Sequence, residues 1–130
     1  VSLISLKTIA KEDLLNRTNE FYFKVKSPEK TIKSRTPDIG TINLRENQVY
    51  QPKADQLTLW SQFPMFLDNE DKIVKLHIEL RESDVGKRDD RIAKMDLEIK
   101  CPSKSDYIIL QDDKKETKAK LKIYATETRY

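Results

Sequence analysis

Only two glycines, one cysteine and one histidine occur in this 130-residue chain. Two glycines cannot readily build a phosphate-cradling loop, and neither G-x-S-x-G nor H-E-x-x-H is present. A lone Cys101 and a lone His77 leave no His/Cys zinc cluster and no cysteine–histidine nucleophile pair. One cysteine also excludes an intramolecular disulfide and fits a reducing compartment. No apolar run approaches the roughly 20 residues of a membrane-spanning helix, and no stretch resembles a signal peptide. Because Val1 and not methionine comes first, the chain is expected to be a processed mature protein or a segment of something larger.

Apolar residues make up 37% and charged residues 36%, with a mean hydropathy of −0.73. That is polar, but the apolar residues fall in short regular runs, which argues against disorder. The net charge is +3, and the charges are patterned, not blocked. A duplex-binding domain concentrates its Lys and Arg, and a single-strand binder interleaves them with aromatics. Neither pattern is present, so no nucleic-acid partner is expected.

Strict alternation is the dominant signal. "FYFKVK" puts Phe21, Phe23 and Val25 on one face and Tyr22, Lys24 and Lys26 on the other. "IVKLHIEL", "IAKMDLEI" and "AKLKIYA" are the cleanest period-two runs. Within the first, His77 falls on the more exposed face with Lys75 and Glu79. "VSLISLKTIA" sets Ile4 and Leu6 on one side, with a change of phase from Val1 and Leu3. "TINLR", "TLWSQFPMF" and "DYIIL" complete a set of eight candidate strands. The stretches "KSPEKTIKSRTPDIG" and "RENQVYQPKADQ" read as polar loops. No repeat, linker or composition shift divides the chain. The expectation is an all-β fold, one antiparallel eight-stranded sandwich over residues 1–130.

Two connections carry more acid than turns require. Glu82, Asp84, Asp89 and Asp90 crowd the loop "ESDVGKRDD". In an earlier connection Asp13 is followed six positions later by Asn19, at the start of a strand. If both loops lie at one end of a sandwich, Asp13, Glu82, Asp84 and Asp90 converge. Carboxylates so placed repel by several kcal/mol when partly dehydrated, and a hard divalent cation removes that cost. Calcium suits irregular oxygen ligands, whereas magnesium demands a stricter octahedron. The other reading is ordinary solvated acidic loops.

"DLLNRTNEFYFKV" together with "ELRESDVGKRDDRIAKMDLEI" resembles the C2 domain, a calcium- and phospholipid-binding β-sandwich family with Greek-key strand order. Asp13 and Asn19 match the family's first acidic pair by separation, and Glu82, Asp84 and Asp90 match its later trio. "DYIILQDDKKETKAKLKIYA" is similar to its closing hairpin. Residues 27 to 65 are much less alike. Asn19 and Glu82 each replace an Asp, Ala93 replaces a Gly, and "NEFYF" has one residue more than the usual run and lacks its proline. The resemblance implies one or two calcium ions in a weakened site.

It also implies roles for the loop tips. Leu14 and Leu15 would enter the acyl–headgroup boundary, at about 0.8 kcal/mol per buried CH₂. Val85 would do the same, with Lys87 and Arg88 meeting lipid phosphates. The bland reading folds Leu14 and Leu15 back onto the core. A lysine-rich sheet face in this family can recognise phosphoinositides. The outward lysines here, Lys24, Lys26, Lys118, Lys120 and Lys122, fit better as residues that keep strands soluble.

The expected function is therefore a non-catalytic, calcium-influenced docking module, cytoplasmic and peripheral to an anionic phospholipid membrane. The alternative is a calcium-independent C2-like domain that binds a protein partner or the rest of a longer chain. A paired-carboxylate hydrolase is disfavoured, because acids on loop tips of a small sandwich leave little room for a substrate cleft.

Overall fold

Alternating apolar residues become strands here because each strand buries one face and leaves the other in water. The computed structural model describes residues 1–9, 19–28, 32–53, 57–61, 73–83, 89–101 and 103–125. Among these, nine strands form: β1 Ser2–Thr8, β2 Asn19–Ser27, β3 Ile32–Thr36, β4 Ile42–Leu44, β5 Val49–Tyr50, β6 Ile73–Glu82, β7 Asp90–Lys100, β8 Ser103–Gln111 and β9 Thr117–Ala125. One sheet has the order β5-β1-β9-β8 and the other β3-β2-β6-β7, with β4 also pairing β2. All pairings are antiparallel. The chain changes sheet at β1→β2, β4→β5, β5→β6 and β7→β8, the crossings expected of a Greek-key sandwich.

The core lies between the sheets. Leu3, Leu6, Leu110, Ala119 and Leu121 come from one side, and Phe21, Phe23, Val25, Leu76, Ile78 and Leu80 from the other. The phase change in β1 is a bulge. Leu3 faces Leu121 and Ser5 faces Lys120, so Ile4 is the extra residue and both Leu3 and Leu6 point inward. Ile4 and Leu6 therefore do not share a face.

Among the described residues the strand count is nine, not eight. Ile32–Thr36 and Val49–Tyr50 lie in stretches expected to be loops. Both are sheet-edge elements, and three of the five β3 residues are polar with little burial, so no alternation marks them. In "TLWSQFPMF", Thr58 makes an isolated bridge to Ser2, and residues 62–66 lie outside the described part. The acidic turn of "QDDKKETK" is local chemistry: Asp112 Oδ1 accepts from the Glu116 and Thr117 amides at 2.8 and 3.0 Å.

Phe23 is fully buried, while Ile39 is 92% exposed. In urea denaturation, Phe23→Ala is expected to cost about 3–5 kcal/mol. Ile39→Ala should stay within about 0.5 kcal/mol.

Candidate functional site

Strand pairing brings one end of the second sheet to the acidic loops. β2 pairs β6 with Phe21 opposite Glu82, and β6 pairs β7 with Glu82 opposite Asp90. Residues directly opposite share a face, as do residues two apart on one strand. Asn19, Phe21, Glu82 and Asp90 therefore lie on the inner side of the sheet at a single end. The Ser83 amide donates to the Glu20 carbonyl at 2.9 Å and fixes where β6 leaves the sheet.

The described part thus contains Asn19, Glu82 and Asp90 and brings them together. Asn19 is buried at 4% exposure, Glu82 is half-buried and Asp90 is exposed. Asp13 and Asp84 lie outside the described residues, as do Leu14, Leu15, Val85, Lys87 and Arg88. Among the described residues no group of three or more His, Cys, Asp and Glu is placed to hold a metal ion. What is described is a carboxylate pair beside a buried amide. Across the core, at the same end of the facing sheet, Thr8 and Thr117 are buried and their hydroxyls lie 3.0 Å apart.

The first acid of the "DD" pair, Asp89, has a different task. The Tyr22 hydroxyl donates to Asp89 Oδ2 at 2.5 Å, and Arg81 Nη2 donates to the Asp89 carbonyl at 3.4 Å. Tyr22 and Arg81 are register partners on the outer face, and the Arg35 guanidinium sits 4.2 Å from the Tyr22 ring centroid. Tyr22, on the face opposite Phe21 and Phe23, is only 3% exposed. Arg81 Nη1 also bonds Glu79 Oε1 at 3.2 Å, and Arg91 lies 3.8 Å from Glu79. Arg81 Nε is buried without a hydrogen-bond partner among the described residues. His77 is half-buried on this outer face, with Nδ1 2.8 Å from Asp96 Oδ1 and Nε2 3.7 Å from Glu79.

Sequence reasoning missed this network. The signal available was an aromatic among lysines on an outward face, which needs a cover that a distant strand supplies. Its effect is to clamp the base of the β6–β7 loop, because Asp89 directly precedes Asp90.

Burial pushes the Tyr22 pKa up, and the hydrogen bond to Asp89 raises it further, partly offset by Arg81. Tyr22 therefore keeps its proton in the fold above the pH near 10.0 at which an unperturbed tyrosine loses it. The unfolded chain then binds fewer protons than the folded one, so stability falls as pH rises above about 10. Tyr22→Phe should remove that contribution to the slope. At neutral pH it should cost about 1.5–3 kcal/mol, as for a hydrogen bond to a charged group. Urea titrations of both proteins between neutral and strongly alkaline pH check both outcomes.

No protein-family profile and no curated protein matches the chain. Among solved structures, human GIVD cytosolic phospholipase A2 in complex with methyl gamma-linolenyl fluorophosphonate aligns with 98% of this chain at a TM-score of 0.57 and 15% identity. The aligned part is 16% of the phospholipase chain, so the likeness concerns one segment of a much longer protein. A structure described as that of a C2 domain aligns with 92% of this chain and 94% of its own, at a TM-score of 0.42 and 11% identity. With its two antiparallel sheets and Greek-key crossings, the chain is an all-β sandwich of C2-like fold.

Proposed function

We propose that this C2-like module is non-catalytic and docks on an anionic phospholipid surface under the influence of calcium, held between the β1–β2 and β6–β7 connections. The carrying observation is the register that sets Glu82 directly opposite Asp90, with Asn19 on the same inner face. Like charges directly opposite on a sheet destabilise it. A divalent cation would offset that repulsion and take the Asn19 carbonyl oxygen as a neutral ligand. Asp13 and Asp84 would complete the oxygen set, one on each connection.

Leu14, Leu15 and Val85 would then enter the headgroup boundary, and Lys87 and Arg88 would meet lipid phosphates. The ion acts as an electrostatic switch, since cancelling the acids lets the tips approach a negative surface. Burial pushes the Cys101 pKa up, which disfavours a reactive thiolate at that one residue.

A second reading, a calcium-independent protein-interaction domain of the same fold, is favoured by one observation. Asn19 is almost wholly buried, so reaching an ion would require its side chain to reorient.

Calcium titrated calorimetrically into the metal-free protein should release or absorb heat that Asp84→Asn abolishes. Apparent affinity should rise when anionic liposomes are present. Silence at millimolar calcium, with and without liposomes, would leave the second reading standing.

A further inference from the structure

Each sheet of an open sandwich ends in strands whose outer backbone groups can recruit another chain, and proteins blunt such edges with charge, proline or brevity. Three of the four edges here are blunted. β5 has two residues, β3 carries Lys33 and Arg35, and β7 alternates Lys94, Asp96, Glu98 and Lys100 along its outer face. β8 is different. After the irregularity between Ser103 and Asp106, it runs Tyr107–Gln111 with no charge and no proline.

The direction of its backbone groups follows from neighbouring pairings. The Thr8 amide and carbonyl engage Gln48 and Asn47, so Thr8 turns towards β5, and Lys7 and Ser5 turn towards β9. Lys118 and Lys120, opposite Lys7 and Ser5, therefore spend their backbone groups on β1. Ala119 and Leu121 bond Leu110 and Ile108 of β8 in turn. By the same alternation Tyr107, Ile109 and Gln111 aim theirs away from β9. The Tyr107 amide confirms it, because it donates to its own neighbour, Asp106 Oδ1, at 2.8 Å. Among the described residues no strand pairs that side of β8.

The outer face beside this edge has one sign of charge. Lys7, Lys118, Lys120 and Lys122 share it with Tyr107 (52% exposed) and Ile109 (44% exposed). No described acid occupies an outward position there between Tyr107 and Gln111 or on the facing strands. Lys120 Nζ lies 4.7 Å from the Tyr107 ring centroid, so it reaches across towards β8.

We propose that the Tyr107–Gln111 edge of β8 is a strand-addition site for an extended partner segment with acidic side chains at alternate positions. The backbone of that segment would pair Ile109 and Gln111. Its outward acids would meet Lys120 and the neighbouring lysines, while its inward side chains would extend the cover of Ile108 and Leu110.

The test uses the whole chain, isotopically labelled, titrated with a nine-residue peptide alternating glutamate and valine. Binding should shift the Ile109 and Gln111 amides and slow their hydrogen exchange. Lys120→Glu, on an exposed side chain, should weaken binding by about tenfold. So should peptide N-methylation on the pairing edge. Ile109 and Gln111 amides already protected in the free protein would overturn the proposal, since the edge would be covered by the chain itself. Equal binding of the N-methylated peptide would reduce the site to a charged face and also overturn it. Self-association that protects these amides, protection by anionic vesicles instead of peptide, or no shift at millimolar peptide would each do the same.

Discussion

The antiparallel pairing of β2 with β6 runs from Phe21–Glu82 to Lys26–His77, and both faces of the second sheet depend on it. Inward, it stacks Phe23 on Leu80 and Val25 on Ile78, all fully buried. Outward, it sets Tyr22 against Arg81 and Lys24 against Glu79. A slip of one residue would exchange these faces and send the core into water. The cost of burying Phe21 and Phe23 wrongly is what holds Glu82 where it is. The acidic end is therefore positioned by the aromatic core and not by the loops themselves.

The "DD" pair shows how such a frame sorts like residues. Asp90 opens β7 and faces Glu82 on the inner side, whereas Asp89 reaches the outer face and is held by Tyr22 and Arg81. The bulge between Leu80 and Arg81 on β6 and Ala93 and Arg91 on β7 adds one residue, Ile92, two positions after Asp90. Such a bulge increases local twist and re-aims the residues beyond it. Two adjacent carboxylates thus serve different environments, one structural and one at the candidate ion end. The two sheets differ in the same spirit: one outer face carries a closed network of opposite charges, the other lysines and exposed apolar groups.

Much of the architecture was legible in the chain. Strict alternation in β2, β6, β7 and β9 marked strands with one buried face, whereas "VSLISLK" showed only a change of phase, and the bulge that makes Ile4 the extra residue came from the pairing with β9. β3 and β5 left no mark, because β3 is mostly polar and β5 has only two residues, so neither carries a hydrophobic period to read. Tyr22 was placed on the correct face, but its burial there was not legible. Its cover comes from Arg35, Arg81 and Asp89, which stand 13 to 67 positions away.

What the sequence determined by itself was the class of fold, the inward set of β2, β6, β7 and β9 and the surplus of acid in two connections. These are local properties, since period two and turn composition need no partner. Only the tertiary structure decided the pairing of Glu82 with Asp90, the burial of Asn19, the capture of Asp89 and the place of β8 at the end of its sheet among the described residues. Each of those depends on which strands become neighbours, and strand order is set by packing the whole core, not by any one segment.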